Sequence, residues 1–467
     1  MSLTGPLPSS FRDPSGFVYR DKAGVLLRQV NPVYEAHYRQ LVDSGLYEAL
    51  VAEGLLIAHE EVALDRAHSA DAAVVLAPDI VPFISYPYEW CAAQLRDAAL
   101  LTLRIQEIAL DHGMTLKDAS AYHVQFRGAA PVFVDTLSFE PYVDGKPWVA
   151  YGQFCRHFLA PLALMHYVEP AMGGLLRSHL DGVPLLLASR ALPWRTRFKP
   201  GLMMHLHLQA RLEKGRTAEG GADAEQSAKA STLSLQGLRG ILDSLRGAVT
   251  GMGSQTVATT WADYYDHTNY SDSSAQSKAE EVRRFLSQAK PATVWDLGAN
   301  TGVYSALAAE VGAHCVAFDV DHGAISTLYA REKADGKGIL PLLLDLSNPS
   351  PDLGWAHGER DSLLRRGPVD CVMALALVHH LCIGNNVPLP KVAAFFATLG
   401  AHLIVEFVPK EDSMVTRMLA ARDDVFPEYT VEHFRRAFAE HFELLEEAPV
   451  VNSVRTLYWM KRRKAAE

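Results

Sequence analysis

Apolar positions along this chain change their period more than once, and the changes divide it. Runs of β-type residues at 17–20 and 25–30 flank Asp21-Lys22-Ala23-Gly24 and predict a hairpin. Over 32–53 the apolar and aromatic positions Tyr34, Tyr38, Leu41, Leu46 and Leu50 recur at helical spacing, with Gly54 as the stop. Short strands are predicted at 72–76 and 81–85, and a long amphipathic helix over 89–112 ending at Gly113. Two further short strands, around Val124-Gln125-Phe126 and Val132-Phe133-Val134, lie either side of Gly128, and an apolar helix covers 153–168. Its arginine and two histidines fit on one face, so it is no membrane segment. Residues 1–213 therefore read as an α+β domain.

Over 214–232 glycine, alanine, serine and alternating charge replace the apolar pattern, as in a flexible linker, and the domain boundary is placed there. Residues 233–467 form the second domain. Helical periodicity resumes at 233–248 and 275–288, separated by an aromatic and polar cluster, Trp261-Ala262-Asp263-Tyr264-Tyr265 and Thr268-Asn269-Tyr270. Apolar strands then alternate with helical stretches: one into Asp296, another at 314–318 ending in Asp319, a third at 339–344 closed by Asp345. A fourth at 369–375 precedes His379-His380-Leu381, and a fifth at 401–405 ends at Glu406. Alternation of this kind predicts a parallel sheet with helices on both faces.

Composition narrows the classes. A hydrophobic content of 49% and a charged content of 21% are those of an ordinary globular protein. A formal net charge of −10 implies a diffuse acidic surface, which argues against a nucleic-acid partner, since that would need a clustered basic face. The five cysteines are scattered without C-x-x-C spacing, as in reduced, buried thiols of a cytoplasmic protein. No signal peptide is visible, and no uncharged apolar run reaches the ~18 residues that span a bilayer, so no membrane partner is expected. No Cys/His cluster has zinc spacing, and His205-Leu206-His207 is read as structural.

The chemistry gathers at Val294-Trp295-Asp296-Leu297-Gly298-Ala299-Asn300-Thr301-Gly302, where a strand turns through glycines directly into a helix. Such a turn offers unpaired backbone N–H groups and a positive helix end to a small polar ligand. Gly298 and Gly302 admit a ligand close to the backbone, and Asn300 tolerates a left-handed conformation. Asp319, at the tip of the next strand, is placed to take both hydroxyls of a ribose.

The spacing D-x-G-x-N-x-G, with Asp319 and Asp345 following at strand ends, resembles motif I of class I S-adenosylmethionine-dependent methyltransferases. The resemblance covers about half of the chain. It implies an α/β fold: a doubly wound, Rossmann-like methyltransferase sheet of seven strands whose last pair, near 442–445 and 453–460, is antiparallel. It also implies S-adenosylmethionine as cofactor, held by Asp296, Gly298, Asn300, Gly302, Asp319 and Asp345. Tyr265 and Tyr270 either close over that cofactor as part of a lid or pack as part of an ordinary N-terminal helix. His379 or His380 is the candidate base, the alternative being one ring packed under the sheet and the other capping a turn. Glu406 is placed to orient an acceptor hydroxyl or amine. Asn/Asp-Pro-Pro-Tyr is missing after the fourth strand, where Ala374-Leu375-Ala376-Leu377 stands, and no Pro-Cys pair offers a thiolate. Oxygen or nitrogen is therefore favoured over carbon as the acceptor atom. A nicotinamide-dependent oxidoreductase on the same sheet and a non-catalytic binding or scaffold protein are the competing classes.

The N-terminal half has a fainter likeness. Lys117 to His123, then Phe133-Val134-Asp135, resembles small-molecule kinases, with Asp118 and Asp135 at the catalytic-loop and metal-binding positions. His123 stands in place of the expected Asn, Leu116 in place of a His, and no glycine-rich phosphate loop is present. This half reads as a degenerate kinase-like lobe or as a plain substrate or scaffold domain. The whole layout, with Glu406-Phe407-Val408-Pro409-Lys410, looks like bacterial methyltransferases of which some carry a nodulation-protein label, which implies a small-molecule or glycan acceptor.

Overall fold

The structure is a computed structural model and describes residues 5–218, 233–253, 272–420 and 423–464. It divides into two compact units, Met1–Gln255 with Gly354–Arg360, and Thr256–Leu353 with Asp361–Glu467. In the first unit, β1 (Gly5–Pro6), β2 (Gly16–Arg20), β3 (Leu26–Val30), β4 (His59–Val62) and β5 (Val74–Pro78) form an antiparallel sheet in the order β1-β2-β3-β5-β4. The predicted hairpin is β2–β3, pairing Arg20 with Leu26 and Gly16 with Val30. β4 escaped the sequence reading because His59-Glu60-Glu61-Val62 has no apolar alternation. No strand forms at 81–85, where Pro82 has no N–H to give to a ladder. Gly45, at φ +75, breaks the helix expected over 32–53 into Pro32–Asp43 and Leu46–Ala52.

The long helix Ala92–Asp111 begins where Gln94 Oε1 accepts from the Cys91 N–H at 3.0 Å, and it buries most of its residues. β6 (Met114–Leu116), β7 (Val124–Arg127), β8 (Ala130–Phe133) and β9 (Phe139–Pro141) pair as β6–β9 and β7–β8. The units divide later than the composition shift implied. Helix Gln209–Ala218 runs into the expected linker, and helix Leu235–Thr250, assigned from sequence to the second domain, belongs to the first unit. Its stripe Leu238, Leu242, Leu245 and Val249 is buried and packs on Ala92–Asp111. An amphipathic face announces that it will be covered, but not by which neighbour. Residues 219–232 of the expected linker lie outside the described residues.

In the second unit, β10 (Thr293–Leu297), β11 (His314–Asp319), β12 (Leu340–Leu343), β13 (Val369–Ala374), β14 (Gly400–Phe407), β15 (Phe442–Pro449) and β16 (Thr456–Arg462) form one 7-stranded sheet. Its order is β12-β11-β10-β13-β14-β16-β15, parallel through β14, with β16 antiparallel to both β14 and β15. This is the doubly wound, Rossmann-like methyltransferase fold. Phe285 and Leu286 of helix Asp272–Ala289 pack with Val294, Cys315, Met373 and Ile404 of the strands in one core. The order reverses between β10 and β13, which opens a crevice beyond the carboxyl ends of those strands. All five cysteines are free and buried, and no helix among the described residues is long and apolar enough to cross a membrane.

Gly302 shows how tightly the turn after β10 is packed. At φ +75, a Cβ there would stand 2.6 Å from Leu328 Cδ1. Gly302→Ala is expected to lose about 1–2 kcal/mol from the left-handed backbone alone, plus the cost of moving Leu328. Urea unfolding checks this, and an unchanged midpoint contradicts it.

Candidate functional site

The turn leaving β10 is left-handed at Gly298 (φ +75), Asn300 (φ +51) and Gly302 (φ +75). Its N–H groups, expected to await a ligand, are instead used within the protein. Gly298 and Ala299 donate to Phe318 O at 2.8 and 2.9 Å, Asn300 to Asp319 Oδ2 at 2.7 Å, and Gly302 to Ala299 O at 2.9 Å. Thr301 N donates to Asn300 Oδ1 at 2.6 Å. The turn thus faces the crevice with a surface lacking a Cβ at Gly298, not with free donors. Gly302 does not line the cavity; its missing Cβ lets the following helix, Val303–Glu310, close on Leu328.

That cavity holds about 260 Å³. Asp296, Gly298, Asn300, Asp319, Asp345 and His380 all line it, so the ends of β10, β11, β12 and β13 converge on it. Leu344, Leu346, Leu375 and Leu377 supply apolar walls. Asp319 braces the turn, accepting from Asn300 N and, through Oδ1, from Asp321 N at 2.9 Å, and still borders the cavity. Asp345 is exposed and accepts from the N–H and hydroxyl of Ser347. Asp296 is buried and accepts from Ser305 Oγ at 2.6 Å; burial raises its carboxyl to about 6. Burial also raises Asp319.

The histidine pair is divided. His380 lines the cavity, and burial lowers its imidazole below the ordinary value, so the neutral form persists at neutral pH. His379, its ring centroid 4.2 Å away, is fully buried, does not reach the cavity, and keeps Nδ1 without a hydrogen-bond partner among the described residues. The pair follows Ala376, a non-glycine residue at φ +51, and opens a π-helical turn, His380–Gly384. Strained and widened turns of this kind gather at functional sites.

Glu406 does not face the cavity. β14 continues through it to Phe407, so it is a strand residue and not a strand end, and its side chain is fully buried. Its Oε2 accepts from Lys278 Nζ at 2.6 Å, and Arg455 Nη1 lies 3.8 Å from Oε1. Lys278 is the residue the sequence reading missed. It sits on the inward stripe of helix Asp272–Ala289 with Val282, Phe285 and Leu286, lines the cavity, and lies 4.6 Å from the Tyr304 ring. A lysine on an apolar stripe was the available signal. Tyr265 and Tyr270, with the rest of the Trp261–Tyr270 cluster, lie outside the described residues.

The three positions of the kinase resemblance do meet in the first unit. His123 Nδ1 lies 3.5 Å from both Asp118 Oδ1 and Asp135 Oδ2. Asp135, however, is committed to Arg28 and to the Ser138 hydroxyl. Among the described residues no three His, Cys, Asp or Glu side chains are grouped to hold a metal ion. The kinase-like reading gains no support.

Two stability measurements test this electrostatic picture. A carboxyl raised to about 6 by burial binds a proton more readily folded than unfolded, so its contribution to stability falls as pH rises through that range. Asp296→Asn is therefore expected to stabilise the protein at neutral pH by about 2–3 kcal/mol, and to leave it unchanged at low pH, in denaturant titrations. Glu406→Ala, which strands a buried ammonium, is expected to cost about 3–5 kcal/mol, with much of the loss recovered in Lys278→Met/Glu406→Leu.

No family model matches the chain. Part of the chain is similar to several solved methyltransferase structures. One is the bifunctional kinase-methyltransferase WbdD (17% identity, TM-score 0.30, 44% of this chain and 43% of that one). Another is magnesium protoporphyrin IX methyltransferase from Synechocystis PCC 6803 with bound SAH (17%, TM-score 0.30, 41% and 84%). A third is the N-methyltransferase NodS from Bradyrhizobium japonicum WM9 (14%, TM-score 0.30, 41% and 98%). The chain thus spans less than half the length of WbdD, and values this low leave the strand order itself to carry the fold. Nodulation protein NoeA of Rhizobium meliloti (strain 1021) is of another order: 37% identical over 467 residues, covering 98% of this chain and 96% of the relative. Identity at that level over nearly the whole of both sequences makes this chain a member of the NoeA family of nodulation proteins.

Proposed function

We propose that this protein is a class I S-adenosylmethionine-dependent methyltransferase, acting on an oxygen or nitrogen of a small-molecule or glycan acceptor. One observation carries the reading: Asp296, Gly298, Asn300, Asp319, Asp345 and His380, drawn from four strand ends, border a single cavity at the point where the sheet order reverses. The residues fit the cofactor by chemistry. Asp319 offers carboxylate oxygens to a ribose diol, while Leu344, Leu346, Leu375 and Leu377 offer apolar faces to an adenine. Gly298 leaves room for close approach, and Asp296 and Asp319 set negative charge near a sulfonium. The relative's nodulation label supports a glycan or small-molecule acceptor.

Bound S-adenosylmethionine supplies a methyl group on a cationic sulfur, open to in-line displacement by the acceptor. The chain's own contribution is placement and proton removal. His380, neutral because burial disfavours its charged form, takes the proton that an acceptor hydroxyl or amine must lose. Lys278 stays tied to Glu406 and fixes the cavity wall beside Tyr304.

Transfer of tritiated methyl from S-adenosylmethionine into fractionated extract tests the reading, with label expected in small molecules or glycans; no incorporation by wild type contradicts it. His380→Asn is expected to lower kcat by roughly 10²–10⁴-fold with little change in KM for the cofactor. Because the imidazole is lowered below 6.5, the wild-type rate should hold as pH falls to that value and drop only beneath it. That acid limb in kcat should vanish in His380→Asn.

A further inference from the structure

Residues 182–212 contain Arg190, Arg195, Arg197, Lys199 and Arg211 and no aspartate or glutamate, in a chain of formal net charge −10. All five cations are exposed. The same stretch holds large apolar side chains in solvent: Trp194 is 72% exposed, Phe198 75% and Met204 50%, with Leu187, Leu208 and Leu212 also out. Met204, Leu208 and Leu212 follow at four-residue spacing along Met203–Leu208 and Gln209–Ala218, so they share one helical face. The Trp194 and Phe198 rings meet edge to face, centroids 5.5 Å apart.

A buried set of hydrogen bonds ties together the elements beneath these side chains. Thr196 Oγ1 donates to Pro193 O at 2.7 Å, so the His207 Nε2–H donates to Thr196 Oγ1 at 2.9 Å, and His207 Nδ1 accepts from Ser189 Oγ at 2.9 Å. One neutral imidazole thereby ties helix Leu185–Ala191 and the turn Trp194–Phe198 to the helix that carries Met204 and Leu208. His205 anchors the other side, bonded to Tyr151 Oη at 2.8 Å and Ser244 Oγ at 2.9 Å. Both ring nitrogens of each histidine in His205-Leu206-His207 are thus engaged in hydrogen bonds within the protein.

We propose that this face, formed by Leu185–Ala191, Trp194–Phe198 and the helical run from Met203 through Leu212, docks on a membrane surface rich in anionic lipid. Charge complementarity selects the occupant. Aromatic rings flanked by arginines, with no acid among them, match the headgroup layer of an anionic bilayer, where rings sit at the interface and guanidinium groups meet phosphates. A two-fold contact with a second copy would set these cations against their own equivalents. Nucleic acid would answer the arginines but leave Met204, Leu208 and Leu212 without partners. Peripheral docking needs no spanning helix, so it revises the expectation of no membrane partner without conflict with the apolar-run argument.

Co-sedimentation of the full chain with phosphatidylcholine vesicles, with and without phosphatidylglycerol, tests the proposal. The protein is expected to pellet with the anionic vesicles and to be released by high salt. Arg195→Gln/Arg197→Gln/Lys199→Gln should weaken partition about fivefold for each cation removed. Trp194→Ser/Phe198→Ser should weaken it at least roughly tenfold with an unchanged melting profile, because both side chains are exposed. The proposal is overturned by equal or absent binding to the two vesicle types, or by variants that pellet like wild type. A concentration-dependent dimer abolished in Trp194→Ser/Phe198→Ser would instead give the surface to a second copy.

Discussion

The second unit depends on a backbone constraint at the end of β10. Three residues in five, Gly298, Asn300 and Gly302, hold positive φ, and the turn they make is closed by Phe318 O and by the carboxylate of Asp319 on the neighbouring strand. The acid that borders the cavity therefore also builds it. Every N–H from Gly298 to Gly302 has a partner inside the protein, so the turn is rigid before any ligand arrives. What a nucleoside meets is a shaped wall with a carboxylate in it, a form of preorganisation that lowers the cost of binding.

Behind that wall lies a chain of buried charge. Lys278 pairs with Glu406, Arg455 approaches Glu406 from the other side, and Arg455 also forms a two-pronged pair with Asp412 at 2.7 and 3.1 Å. Asp412 in turn caps the helix Ser413–Leu419 through Met414 N. Ion pairs taken out of water contribute little net stability, but losing one partner is costly. The arrangement fixes helix Asp272–Ala289 against β14 and β16 with Lys278 at the cavity edge, and it keeps Asp296 in a desolvated setting where its charge is felt.

What was legible in the sequence was local. Asp296 through Gly302 is a strand-to-helix turn whose glycines and Asn300 specify their own conformation, and Asp319 and Asp345 lie at strand ends that apolar runs delimit. Alternation of those runs with helical stretches indicated the parallel sheet, while its antiparallel last pair came from the resemblance and its strand order from the structure. Glu406 misled because β14 runs two residues beyond its apolar stretch, and an internal strand residue points into a face and not out of an end. Lys278 stood out only as a lysine on an apolar stripe, and its partner, 128 positions away, could not be named from that. The helix Leu235–Thr250 displayed its buried stripe plainly, yet nothing in the stripe says which unit covers it. His379 and His380 are adjacent in sequence, and only the widened turn at His380–Gly384 decides which ring faces the cavity.

The most direct measurement is calorimetric titration of the protein with S-adenosylhomocysteine, beside a Gly298→Val variant whose Cβ would stand 3.2 Å from Leu377 and crowd the cavity. The account predicts saturable one-to-one binding to the wild type and its loss in a folded Gly298→Val. Absence of any heat with the wild type, or equal binding by the variant, would contradict it.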